Sequence, residues 1–285
     1  MTYRLPPAVR SAVALTAIGM IAACSRDTGP TVNTLGPRAR VRVINAIPDT
    51  IAMDYRFADS VEAPIELGLV FRTASSYQPF KVGARRLRAF AASNVPAIVF
   101  GAPIIDQVVN LQADRWYTII HVGLANTAGG TGDSVIVLTD SVPTFGALNN
   151  GIGIRGIHAI PGVGAVDVFT TRTVAAALPA TPLFANLTYG RTTGYIRQAT
   201  PDSVAARFSV RGANPAVVLT SLAMFGLAGT TAANPIGGTR IANTSLSAVA
   251  FPAGLGARAT GTATAPSVVW FVDGDPPETV PRLRP

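Results

Sequence analysis

One cysteine in 285 residues, Cys24, excludes an intramolecular disulfide and any multi-cysteine metal centre. The only histidines are His121 and His158. Two separated imidazoles fall short of the about three or four ligands a zinc site takes. Charged residues make up 13% of the chain, about half the usual share near 25%. Lysine is almost missing: Lys81 is the only one, so the positive charge is carried by arginine. The carboxylates are few and read as unpaired. Asp273 and Asp275 come nearest to a calcium-type cluster, and a Gly-Pro turn accounts for them. There is no G-x-S-x-G elbow and no H-E-x-x-H. No long apolar stripe of period 3.6 appears, which argues against a helix bundle. Catalytic, metal and cofactor residues are therefore all expected to be none.

What the chain does contain is a stretch written twice. Arg42-Val-Ile-Asn-Ala-Ile-Pro-Asp-Thr-Ile-Ala-Met-Asp54 returns as Arg155-Gly-Ile-His-Ala-Ile-Pro-Gly-Val-Gly-Ala-Val-Asp167. In the first copy Ala39, Val41 and Val43 alternate with Arg38, Arg40 and Arg42. Period two with one apolar and one charged face predicts a half-buried strand whose arginines face solvent. Pro48 and Pro161 then direct a turn, and a second strand follows. Asp54 and Asp167 sit just past that turn. They are expected to bond nearby backbone N–H groups rather than to ligate a metal. Asn45 and His158 occupy one repeat position and read as two ways of filling the same hydrogen-bonding slot.

A second block matches at a wider offset, Leu69-Val-Phe71 with Tyr77 against Leu187-Thr-Tyr189 with Tyr195. A third, Leu111-Gln-Ala-Asp-Arg-Trp-Tyr-Thr118, is clear only in the first copy. In this order the three blocks resemble the bacterial family called domain of unknown function 4397. Arg72 stands where the second block takes glycine. The resemblance implies exported proteins with β-sandwich domains, often in tandem and often lipid-anchored, with no assigned activity.

Elsewhere, Trp116–Val122 and Ser134–Leu138 read as a strand pair around an Asn126–Asp133 loop. Strands are expected at 204–210, 216–223, 246–251 and 267–272, and one short helix at Thr173–Ala180. Gly151-Ile-Gly-Ile-Arg-Gly156 fits G-x-G-x-x-G but lacks the strand before and the helix after that a dinucleotide site needs. The expected fold is all-β: two tandem antiparallel, Ig-like β-sandwiches at 39–147 and 152–275, with a disordered tail at 276–285.

Residues 1–23 read as an export signal. Arg4 and Arg10 precede an uncharged run from Ser11, and Ile21-Ala-Ala-Cys24 is similar to a lipoprotein processing site. The run is shorter than the about 20 residues a membrane span takes. Cys24 is the expected lipidation site, and 24–38 a flexible tether. Ser25, where an aspartate would favour inner-membrane retention, points to the outer membrane. Losing Arg4 and Arg10 lowers the net charge from +8 to +6. The expected partners are the membrane through the Cys24 lipid and an envelope polysaccharide or protein. Nucleic acid is not expected, because the arginines are scattered and no stacking aromatics accompany them. The expected function is thus a non-catalytic envelope lipoprotein for binding or spacing. The alternative is an envelope hydrolase using His158 with Asp167 or His121.

Overall fold

The computed structural model describes residues 36–50, 52–95, 101–125, 132–140, 149–199, 204–212, 241–274 and the backbone of 218–223. The leader, Cys24, most of the tether, the tip of the 126–133 loop, Asp275 and the tail lie outside the described residues.

β-Branched and aromatic runs between Gly, Pro and Asn breakers form the strands. β1 (Arg38–Asn45), β4 (Gln78–Lys81), β7 (Trp116–Val122) and β8 (Ser134–Thr139) make a sheet in the order β4-β1-β7-β8. β2 (Met53–Phe57), β3 (Glu66–Leu69), β5 (Gly83–Ala91) and β6 (Ile105–Leu111) make another, β3-β2-β5-β6. β9 (Ile152–His158), β12 (Ile196–Gln198), β15 (Ser245–Phe251) and β16 (Ser267–Gly274) give β12-β9-β15-β16. β10 (Val166–Thr171), β11 (Phe184–Leu187), β13 (Ala205–Val210) and β14 (Val218–Ala223) give β11-β10-β13-β14. The strand order of the last two sheets repeats that of the first two.

The chain is all-β, and no α-helix occurs among the described residues. The expectation of purely antiparallel sheets is corrected. β1 runs parallel to β7 with Arg42 opposite Thr118, and β9 runs parallel to β15 with Arg155 opposite Ser247. Parallel neighbours need a long crossover, and the five intervening strands supply it. The short helix expected at Thr173–Ala180 is also absent: those residues are bends, a turn and irregular chain.

Three apolar clusters hold the sheets. One joins Val41, Val43, Tyr117 and Ile119 to Met53, Tyr55, Leu87 and Val109, so it lies between the first two sheets in a sandwich-like arrangement. A second joins Ile152, Ile154, Leu246 and Ala248 to Val166, Val168 and Phe208, between the last two. The third joins Ile44, Ile120, Val122 and Leu138 to Ile157, Val249 and Phe251. It therefore bridges the β1/β7 sheet and the β9/β15 sheet, and from Pro37 onward the chain is one compact unit.

This third cluster overturns the half-buried reading of the repeated strand. Every residue of β9 and β15 is buried, as is β1 from Val41 on. The face that alternation assigned to water is covered by the other copy. Arg42 is only 2% exposed, so it does not belong to a solvated arginine face.

Candidate functional site: a crossed arginine–carboxylate network

Arg42 and Arg155 come from the repeated strands and enter the interface between them. The guanidinium of Arg42 donates through Nε to Thr118 Oγ1 at 2.9 Å, through Nη1 to the carbonyl of Val272 at 3.0 Å, and through Nη2 to the carboxylate of Asp273. Arg155 donates through Nε to Ser247 Oγ at 2.6 Å and through Nη2 to Asp140 Oδ1 at 2.6 Å. The pairs are crossed: each arginine bonds the hydroxyl on its neighbouring strand and the carboxylate of the other copy. Arg155 Nε also lies 3.5 Å from Asp273 Oδ2, so the two pairs touch.

The remaining lone pairs are filled in the same way on both sides. Thr118 Oγ1 and Tyr77 Oη donate to Asp140 Oδ2 at 2.7 and 2.9 Å. Ser247 Oγ and Tyr195 Oη donate to Asp273 Oδ2 at 2.5 and 2.8 Å. Each guanidinium also lies over the matching tyrosine ring, Arg42 at 4.6 Å from Tyr77 and Arg155 at 4.9 Å from Tyr195. Burial alone would lower the pKa of both arginines, but Asp273 and Asp140 outweigh it and raise both values. Burial raises the phenols of Tyr77 and Tyr195, so both remain donors. Two cations and two anions share a buried site, and no fully buried polar atom of the four side chains lacks a partner. Such a cluster is suited to holding two sheets in one register, and offers no open position for a ligand.

The expectation of unpaired carboxylates is corrected here. Asp273 is buried on a strand and paired, rather than serving in a Gly-Pro turn. Arg85, also buried, bonds Asp59 and Glu62, while Arg86 and Arg88 pair with Asp106. Sequence reasoning matched Arg42 to Arg155 and Tyr77 to Tyr195 but passed over Asp140 and assigned Asp273 to a turn. The signal was present: Ser134-Val-Ile-Val-Leu-Thr-Asp140 and Ser267-Val-Val-Trp-Phe-Val-Asp273 carry the acid at the same place after a like strand.

The repeat-motif residues sit at the strand ends. Asn45 Nδ2 donates to the Leu69 carbonyl at 2.9 Å, and its Oδ1 accepts the Ile47 N–H at 3.0 Å. His158 Nδ1 accepts the Ile160 N–H at 3.3 Å, which leaves Nε2–H to donate to the Gly164 carbonyl at 3.1 Å. Both side chains thus close the bend before Pro48 and Pro161. Asp54 Oδ1 accepts from the Gly68 N–H at 2.8 Å, and Asp167 Oδ1 from the Asn186 N–H at 2.8 Å. These N–H groups belong to β3 and β11, not to the adjacent turn. Gly68 and Asn186 both have positive φ, at 67° and 60°, and lie where the strand register shifts. The acids therefore pin a bulge. Arg72 and Gly190 are a second such pair, at 66° and 74°. That left-handed conformation is why glycine suits this position; Arg72 adopts it at a cost of about 1–2 kcal/mol.

His158 is not brought to Asp167 or His121: its bonds go to backbone, and those of Asp167 go to Asn186 and Arg211. His121 lies elsewhere, between Tyr55 Oη at 2.9 Å and Asp133 Oδ2 at 2.6 Å. That chain has the order of a proton relay. Tyr55 is fully buried, however, and burial, followed by the charge of Asp133, holds its phenol protonated. No group of three or more His, Cys, Asp or Glu side chains gathers to hold a metal among the described residues.

Burial lowers the pKa of His158 below its ordinary 6.5. The unfolded chain therefore takes up a proton first. Stability is expected to be full above pH 6.5 and to fall as pH drops from 6.5 toward the lowered folded value. His158→Asn, which installs the side chain found at position 45, is expected to flatten that slope. Urea unfolding at about pH 5 and about pH 8 measures it; an unchanged slope would exclude His158 as its source.

With this geometry in view, residues 39–169 match the family model described as domain of unknown function DUF4397. The match covers somewhat under half of the chain. It takes in β1 through β9 and most of β10, so it runs past the first copy and includes Arg42, Asp140 and Arg155. No curated protein matches the chain.

Proposed function

We propose that the chain is a non-catalytic, exported lipoprotein of the cell envelope, with two Ig-like β-sandwich modules in tandem locked into one rigid body. The observation that carries this reading is the crossed Arg42–Asp273 and Arg155–Asp140 pairing over a shared apolar cluster. A flexible pair of binding modules has no use for two buried ion pairs across its joint. A spacer that must hold a surface at a set distance and angle does. The basic leader, Ile21-Ala-Ala-Cys24 and the polar tether support attachment through an acylated Cys24. Ser25 favours the outer membrane, and a polysaccharide or protein of the envelope is the expected partner.

Mass spectrometry of the N-terminal peptide is expected to find mature chain starting at diacylated Cys24. Cys24→Ala is expected to move the protein out of the membrane fraction. An unmodified Cys24 in membrane-bound protein would end the lipoprotein reading.

A further inference from the structure

A pocket of about 250 Å³ opens where the two copies meet, on the side of the Pro48 bend. One wall is Thr50, Ala52, Val70 and Phe71; the other is Arg258, Thr260 and Ala263. The second wall belongs to the loop between β15 and β16, which is tightly built. Gly256–Arg258 and Gly261–Thr264 are 3₁₀ turns. Gly254 donates its N–H to the Ala263 carbonyl at 2.7 Å and closes the neck. A Cβ on Gly254 would stand 2.4 Å from the Arg258 carbonyl oxygen, so only glycine permits this winding.

The loop is also fastened to the first wall. Leu255 donates its N–H to the Pro48 carbonyl at 2.8 Å. Arg72 Nη2 lies 2.6 Å from both the Pro252 and the Ala265 carbonyl, gripping the two ends of the loop. The strained φ of Arg72 thus has a use: it aims the guanidinium across the interface. The pocket is formed before any ligand arrives, which lowers the entropic cost of binding.

Its chemistry is mixed. Among the described residues, the Arg258 guanidinium has no carboxylate partner, whereas Arg42, Arg85 and Arg155 are all paired. The hydroxyls of Thr50 and Thr260 accompany it, and Val70, Phe71, Ala52 and Ala263 give apolar faces. The net charge, +6 once Arg4 and Arg10 are lost, favours an anion. The volume is below the about 300–1,000 Å³ of drug-sized sites, which admits one ring of a polymer rather than a long segment.

We propose that this pocket binds a single hexuronate-class ring of an acidic polysaccharide. Its carboxylate meets Arg258, its hydroxyls meet Thr50 and Thr260, and its C–H face lies on Val70 and Phe71. A phosphate is less well served, because one guanidinium without convergent backbone N–H groups leaves most of its oxygens unpaired. The proposal goes beyond the spacer reading above and rests on its envelope location for the source of the ligand.

The test is titration calorimetry on the full-length chain. The probes are glucuronate and galacturonate oligomers, neutral glucose oligomers of equal length, inorganic phosphate and a short peptide with a free C-terminal carboxylate. A uronate oligomer is expected to bind at least about tenfold more tightly than its neutral counterpart, the scale of one charge-assisted contact. Arg258→Gln is expected to remove that advantage, and Thr260→Val to weaken binding severalfold, both at unchanged melting temperature. Equal binding of neutral oligomers, or an Arg258→Gln protein that binds uronate as before, would overturn the proposal. So would tighter binding of phosphate or of the peptide. Uronate binding by a chain with unmodified Cys24 would retain the pocket and remove the anchor. Acylated Cys24 without uronate binding would do the reverse.

Discussion

Arg42→Met is expected to destabilise the protein by about 3–5 kcal/mol, the cost of leaving one partner of a buried ion pair without the other. Asp273 stays buried at 3% exposure, still bonded to Ser247 and Tyr195, with only Arg155 at 3.5 Å to balance its charge. The double replacement Arg42→Met with Asp273→Leu is expected to recover most of that loss, because removing both charges also removes both desolvation costs. Denaturant titration of the two single variants and the pair completes the cycle. A double variant no better than the sum of the singles would show that the network acts through packing and not through charge. Arg155→Met is expected to cost more than this when added to Arg42→Met, since Arg155 is then the last cation beside Asp273 and is also the partner of Asp140.

Phe251→Ala is expected to cost about 3–5 kcal/mol, the usual effect of truncating a buried phenylalanine in a core that cannot collapse. The side chain is fully buried in the bridging cluster and meets Phe71 and Phe271 edge-on, at 6.2 Å in each case. The more telling readout is cooperativity. The only tryptophans report separately: Trp116 begins β7 and is 37% exposed, whereas Trp270 lies in β16 and is 6% exposed. Trp116→Phe and Trp270→Phe leave one reporter in each copy. In the parent chain the two unfolding curves are expected to coincide, because the copies share a core and two ion pairs. In Phe251→Ala they are expected to separate. Separate curves in the parent would remove the rigid-body reading.

How far the fold was legible depended on what local pattern encodes. The β9, β10, β15 and β16 strands were visible as β-branched and aromatic runs between breakers, and the Arg42–Asp54 and Arg155–Asp167 match located equivalent positions. β4 and β12 were missed: Gln78–Lys81 and Ile196–Gln198 are edge strands too short to show a period. The parallel pairing of β1 with β7 was also hidden, because it depends on partners 76 residues apart at Arg42 and Thr118.

The candidate site failed for a different reason. Arg42 beside Arg38 and Arg40 has the look of a solvated charged face, and Arg40 is indeed exposed. Whether Arg42 is wet or dry is decided by Asp273, 231 residues further on. No local periodicity carries that information. Asn45 and His158, by contrast, bond the backbone two residues ahead, a contact within reach of the sequence motif itself.

By itself the sequence determined most of the strand content and the doubled motif, because propensity, spacing and short-range turn chemistry act over a few residues. Tertiary structure alone decided which face of the repeated strand is dry, which acid each arginine meets, and that the chain from Pro37 on is one unit. Burial is a property of what packs on top, and here the second copy covers the face that the first copy's alternation assigned to water.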